Sequence, residues 1–228
     1  LKKNFKKYAF EFLSIFIAVI SAFALNNWND NRRDEQAQKK ILDEISNGLE
    51  KDIEDVELNV QGHAFGLKSN KFWRKIIMTG EADLDSLNVY YFNFLRDFIS
   101  IQNTSGYENL KSRGLELIKN DSLRTAIISL YEYDYKTLKT LEEEYFEMQF
   151  HENYYKEIND YLAPSFRFDT EGSIVGIELP IVRGDQEKNK ILSYLWKIDA
   201  NRKFALNFYK QIEANIINLK KRIESEKR

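Results

Sequence analysis

The chain has no cysteine, two prolines, two histidines and nine glycines among its 228 residues. Without a thiol there is no disulfide and no thiolate metal site, although that absence suits a reducing or an oxidising compartment equally. His63 and His151 stand far apart in the sequence, and neither belongs to a His-x-x-x-His or carboxylate-rich ligand pattern. Both read as ordinary surface or packed side chains, and no metal, cofactor or catalytic residue is assigned. With so little proline and glycine, and with Glu and Lys at many polar positions, an all-β fold lacks its turn punctuation and long helices are expected. A dominant charge is missing too: 34 basic and 36 acidic residues leave a net charge of −2. That balance gives no global attraction to nucleic acid, which is not expected as a partner.

What is present, 43% hydrophobic and 31% charged residues, suits one or two compact domains. The hydrophobic residues are unevenly spread. Phe12 to Leu25 carries no charge, and Tyr8 to Trp28 is mostly apolar, interrupted by Glu11, Asn26 and Asn27. At about 1.5 Å per residue, Tyr8 to Trp28 covers roughly the 30 Å hydrocarbon thickness of a bilayer. Lys2, Lys3, Lys6 and Lys7 precede the run, while Arg32 and Arg33 follow it mixed with acids. Positive residues favour the cytoplasmic side, which predicts a single-pass signal-anchor over residues 1–30 in the cytoplasmic (inner) membrane. Its N-terminus is expected inside, and an extramembrane helical domain over 31–228 outside. Tyr8, Asn27, Trp28 and Asn29 are expected at the membrane–water interfaces.

Two other readings compete for the run. Ala22-Phe23-Ala24 has the small-x-small form that signal peptidase reads, and the basic start resembles the first region of a cleaved signal. A buried helix of a soluble core is the third reading, although the flanking lysines and the aromatic edges favour a bilayer. The anchor also has sides. Steps of 100° put Glu11, Ser14, Ala18, Ser21, Ala22 and Leu25 on one stripe, and Phe12, Phe16, Val19 and Phe23 on another. Small residues let membrane helices approach closely, so the first stripe predicts pairing, either as a homo-oligomer or as a subunit of a membrane complex. Glu11 at the membrane edge favours water, Lys7 or a partner helix over lipid.

Beyond Asn31, Ile41 or Leu42, Ile45, Leu49, Ile53, Val56 and Val60 recur at steps of three and four. The anchor is expected to run into an amphipathic stalk that ends near Gly62 or continues to Gly80. A second helix is predicted over 86–100. "NTSG" at 103–106 marks a turn, "YENLKSRGLELI" a short helix, and Asn120 or Asp121 the cap of a long helix that keeps an apolar face until Pro164. Glu142, Glu143 and Glu144 read as its solvated face. Residues 164–186 are the one long interruption, with period-two alternation around "DTEG" that fits a short hairpin or an ordered loop. This segment reads as a binding surface or as a connector. A last helix from Glu187 carries Tyr209, Ile212, Ile216, Leu219 and Ile223 at coiled-coil spacing. The fold class is therefore all-α: a transmembrane helix continuing into an antiparallel helical bundle.

Three stretches carry a family resemblance: "FEFLSIFIAVISAFALNNWNDNRRDE", "ILDEISNGLEKDI" and "YENLKSRGLELIKNDSLRTAIISLYEY". They resemble an uncharacterised family of bacterial single-pass membrane proteins, in which an apolar segment ends in Asn-Trp-Asn and an extramembrane helical domain follows. Asn27, Trp28 and Asn29 match the junction, and Leu110, Gly114 and Leu115 match the central motif. The family often has glycine in the anchor, where this chain has Ser and Ala. The resemblance implies architecture and a cytoplasmic-membrane location but no activity.

Two functional classes follow. The first is a non-enzymatic accessory or scaffold subunit that assembles through its anchor and its helical domain. The second is an extracytoplasmic ligand-binding sensor, since helical bundles hold small molecules between helices. A sensor needs a separate output partner here, because few residues precede the anchor, and this favours the first class. No nucleophile and base, phosphate loop or metal cluster points to an enzyme.

Overall fold

The computed structural model describes residues 2–81, 83–181 and 183–227, with the side chains of residues 2–6 and 84 outside the description. Lys2, Lys3 and Lys6 of the basic flank therefore lie outside the described side chains. The fold is all-α with one two-stranded sheet. Helix α1 (Lys2–Thr79) runs unbroken for 78 residues, so the apolar run and the amphipathic stalk are one element. No proline precedes residue 164, and an interior glycine costs a helix only about 1 kcal/mol. The helix stops at Gly80, whose φ of 70° suits a residue without Cβ. Residues 7–36 are exposed throughout, and burial begins in earnest at Ile41. This is one helix long and apolar enough to cross a membrane, with a mean hydropathy of 2.1 over its apolar window and none of that window buried.

Helix α7 (Asp185–Glu226) returns antiparallel to α1. The direction follows from three contacts: Asn70 Nδ2 donates to Leu195 O at 2.8 Å, Ser46 Oγ to Glu224 Oε1 at 3.0 Å, and Lys227 pairs with Asp43 at 2.7 Å. The coiled-coil spacing of α7 extends back to Ile191, through Leu195, Ile198, Arg202, Ala205 and Tyr209 to Ile223. Helix α1 answers with Ile45, Leu49, Asp52, Val56, Asn59, His63, Gly66, Asn70 and Trp73, all buried.

Shorter elements wrap this pair. Helices α2 (Leu87–Phe94) and α3 (Ser105–Arg113) lie against α1. The next segment is α4 (Asp121–Ser129), α5 (Tyr135–Lys139) and π-turns at Leu130–Asp134 and Thr140–Glu144, followed by α6 (Phe150–Leu162). Asn120 caps α4, its Oδ1 accepting from Leu123 N at 3.1 Å. The hairpin around "DTEG" forms: β1 (Phe166–Phe168) pairs antiparallel with β2 (Ile174–Ile177), Phe166 opposite Ile177. One apolar core, with Ile45, Leu110, Ile127 and Ile216, lies toward the anchor, and a second, with Trp73, Phe94, Phe150 and Leu195, lies at the far end.

Two predicted helices differ. The second ends at Phe94 instead of residue 100, and residues 95–104 form an extended strap. The long helix breaks at Tyr145–Gln149 after a π-turn closed by Tyr145 N on Thr140 O at 2.9 Å. There Gln149 Nε2 donates to Glu142 O at 2.5 Å, and Asp97 of the strap caps the new helix.

Close packing at α3 gives a first prediction. A Cβ on Gly106 would lie 2.8 Å from Ile45 N and 3.0 Å from Glu44 C, both backbone atoms of α1 that cannot rotate away. Gly106→Ala should therefore cost about 1–3 kcal/mol of stability through overpacking. Thermal unfolding followed by circular dichroism measures the loss, and an unchanged midpoint would count against this contact.

Candidate functional site

The residues singled out in the anchor are placed along one exposed helix. Tyr8 and Trp28 are exposed, as are Glu11, Ala18, Ser21, Ala22, Asn27 and Asn29. Ser14 spends its hydroxyl inside the helix, donating to Phe10 O at 2.8 Å. Lys7 lies 4.0 Å from Glu11, and the Arg32 guanidinium lies 5.8 Å from the Trp28 ring centroid. The shared face of Glu11, Ser14, Ala18 and Ala22 is a face of one chain, with no second helix against it.

The richest polar constellation lies between the two apolar cores, where the strap is bound. Strap and α1 run in opposite directions, and the glycines of α1 mark the track. A Cβ at Gly48 would meet Asn103, one at Gly62 the Phe98 ring, and one at Gly66 the Arg202 guanidinium. At Gly48 and Gly62 the absent side chains of α1 leave room for the strap, and at Gly66 for Arg202 of α7.

Side chains hold the strap where a helix or sheet ladder does not. Asp52 Oδ1 accepts from Asn103 N at 2.6 Å, and Asp55 Oδ2 from Ile101 N at 2.9 Å and from Ser100 Oγ at 2.5 Å. Glu142 Oε2 accepts from Ser100 N at 3.0 Å. From α7, Arg202 Nη2 donates to Phe94 O at 3.1 Å and to Arg96 O at 2.9 Å. These bonds satisfy buried backbone groups that would otherwise be orphaned, and they are why the predicted helix stops at residue 94. Tyr135 and Tyr209 hydroxyls complete the network on Asp52, at 2.6 Å, and on Glu142.

Burial governs the electrostatics here. Glu142 is buried, not solvated as its sequence neighbourhood predicts, and burial pushes its carboxyl up to about 8 against the pull of Ser100 N–H. Asp52 rises for the same reason to about 6, opposed by its bonds from Tyr135 and Asn103. His63 is held neutral, its value lowered to about 3 by burial and then by the Arg202 charge. Arg202 itself is fully buried, with its guanidinium 4.4 Å from the Phe150 ring centroid, and burial lowers it to about 10 against the Asp97 charge. Its Nη1 lies 3.3 Å from His63 Nδ1. Burial also raises Asp97, against the backbone N–H groups of Phe150 and His151.

Where the strap leaves α2 it helps line a cleft of about 660 Å³ between α2, α6 and the hairpin. Tyr91, Phe92, Leu95, Arg96, His151, Tyr155 and Ile174 are its main walls, with Asn88 and Ser173 at the hairpin edge. His151 stacks on Tyr155, the rings 4.7 Å apart and 15° from parallel. Tyr91 donates its hydroxyl to Asn159 Oδ1. Asn88 Nδ2 ties α2 to the hairpin through Ile174 O at 2.7 Å. Among the described residues no cluster of three or more His, Asp or Glu is placed to hold a metal ion.

Comparison with known protein families, curated proteins and solved structures finds no match for the chain. The strap residues and the cleft residues of α2 and α6 are absent from the sequence-based site, whereas Ser173 and Ile174 fall in the 164–186 segment that reads as a binding surface or a connector; one signal for part of the rest exists. Asp52, Asn59, His63 and Asn70 occupy apolar-stripe positions of α1, as Arg202 does in α7, and polar groups at such positions need partners. Nothing local marks Arg96, His151 or Tyr155, which meet only through the tertiary fold.

Proposed function

We propose that the chain is a single-pass, membrane-anchored, non-enzymatic receptor subunit. Its distal cleft takes a small ligand, and α1 carries the state of that cleft to a partner at the membrane. The observation that carries this reading is the strap: Leu95 and Arg96 line the cleft, while the same segment is tied at Ser100, Ile101 and Asn103 to the helix that continues as the anchor. Here the residues before 31 are the anchor, and 31–228 the extramembrane domain. The N-terminal lysines support a cytoplasmic N-terminus and an extracytoplasmic domain, and the family resemblance supports a cytoplasmic-membrane location.

The structure moves the weight from a passive scaffold to a receptor because a ligand-sized cleft and a mechanical link now accompany the anchor. Output then falls to the small-residue stripe of Ser14, Ala18 and Ala22, which suits contact with a partner helix or a second copy. Ala18→Leu should weaken assembly of the detergent-extracted chain by about fivefold or more, the size of a lost helix–helix contact of roughly 1 kcal/mol. Native mass spectrometry reads the oligomer or co-purifying subunit directly. Unchanged assembly would remove the stripe from the reading, and a domain whose strap exchanges hydrogen identically with every added small molecule would return it to a scaffold.

A further inference from the structure

We infer that the distal cleft binds a small organic monocarboxylate with an apolar or aromatic body, its carboxylate received by Arg96. This rests on the receptor reading and gives it a ligand class. The volume of about 660 Å³ suits a small molecule. The walls of Tyr91, Phe92, Leu95, Tyr155 and Ile174 are apolar or aromatic, so the ligand body is too. No lining residue is Asp or Glu, and the lining cation, Arg96, makes no ion pair among the described residues. Its guanidinium lies 5.4 Å from the Phe92 centroid and 5.8 Å from that of Phe98. Ring contact leaves the planar fork's N–H edge for a carboxylate, which it matches with two parallel bonds.

The remaining polar groups narrow the choice. One Asn88 N–H and the Tyr91 hydroxyl are already committed to Ile174 O and Asn159, and Tyr155 bonds Tyr91, so the donors left beside Arg96 are few: His151, Ser173 and the second Asn88 N–H. A single fork and few donors suit one carboxylate better than two. A phosphate monoester would seek the N-terminus of α6, but Asp97 already occupies it, accepting from Phe150 N at 2.9 Å. Charge complementarity and the spent helix end thus favour the carboxylate.

The test uses the full chain in nanodiscs with four probes: phenylacetate, its amide phenylacetamide, phenethylammonium and inorganic phosphate. Calorimetry should show phenylacetate binding about tenfold or more tighter than the amide, as expected for a charge-assisted pair. Arg96→Gln should abolish that preference, and Arg96→Lys should keep part of it, while Phe92→Ala should weaken acid and amide alike. Arg96 is exposed, and circular dichroism verifies that its variants remain folded. Equal binding of acid and amide, or a preference untouched by Arg96→Gln, overturns the proposal, as does phosphate competing as well as phenylacetate. If the amide or the ammonium binds at the methyl groups of Leu95 and Ile174 and phenylacetate does not, the receptor reading stands and the ligand class falls. If none of the probes perturbs those methyl resonances, both fall.

Discussion

Arg202→Met should destabilise the helical domain by about 3–5 kcal/mol, the range for removing one partner of a buried charged hydrogen-bonded group. Methionine keeps most of the apolar stem and packs beside Phe150, so the loss isolates the guanidinium. Without it, Phe94 O and Arg96 O lose their donor in a site where Arg202 is fully buried. An unpaired buried carbonyl costs about 1–3 kcal/mol, which Phe94 O would carry in full and to which the part-buried Arg96 O would add. In a domain of this size each kcal/mol lowers the melting midpoint by roughly 2–4 °C, so a fall of about 6–20 °C is expected. The strap should loosen with it: amide exchange at Ser100, Ile101 and Asn103 should accelerate more than in the core toward the anchor. A loss below about 1 kcal/mol, or a strap that stays protected, would show that these carbonyls do not depend on Arg202.

This dependence explains which parts of the fold were legible in the sequence. The apolar repeats of α1 and α7, the Asn120 cap and the period-two hairpin are local patterns, set by residues within a few positions of one another. All appear where the patterns place them. The strap was not legible because "LNVYYFNFLRDFIS" contains no proline or glycine to stop a helix before Ser100. Its conformation is decided by Asp52, Asp55, Glu142 and Arg202, between 42 and 108 residues away in the chain. Gly62 reads as a candidate end of the stalk for the same reason, since Phe98, which fills the space beside it, comes from a distant segment. Glu142 was read from its neighbours Glu143 and Glu144, yet its position in the π-turn carries it inward to Ser100 N and Tyr209. At the strap, polar side chains from distant segments override local propensity.

That inward glutamate makes the domain sensitive to pH in a definite direction. An unfolded chain releases the Glu142 proton near 4.5, whereas the folded chain keeps it to about 8. Between those values the folded state holds more protons, so stability falls as pH rises. Asp52 acts in the same sense from 3.8 to about 6. His63 acts oppositely: with its value lowered from 6.5 to about 3, it withdraws stability as pH falls through that window. From pH 6.5 to 8 the last parts of the Asp52 and His63 titrations act in opposite senses, and Glu142 is the largest contributor of the three. One proton changes stability by about 1.4 kcal/mol per pH unit, so the decline over that interval should be about 1–2 kcal/mol.

Glu142→Gln should flatten it, because the amide oxygen still accepts from Ser100 N, and where Tyr209 now donates to Oε1 the hydroxyl can turn to accept from the amide N–H. At pH 8 the variant should melt several degrees above the parent, and near pH 5, where the parent's carboxyl is protonated, the two should nearly coincide. Parallel curves for parent and variant between pH 6.5 and 8 would place the titrating group elsewhere. A flattened curve would place the alkaline loss in the cost of ionising Glu142 at its buried site beside the strap, a cost that the Ser100 N–H, which favours the carboxylate, does not offset.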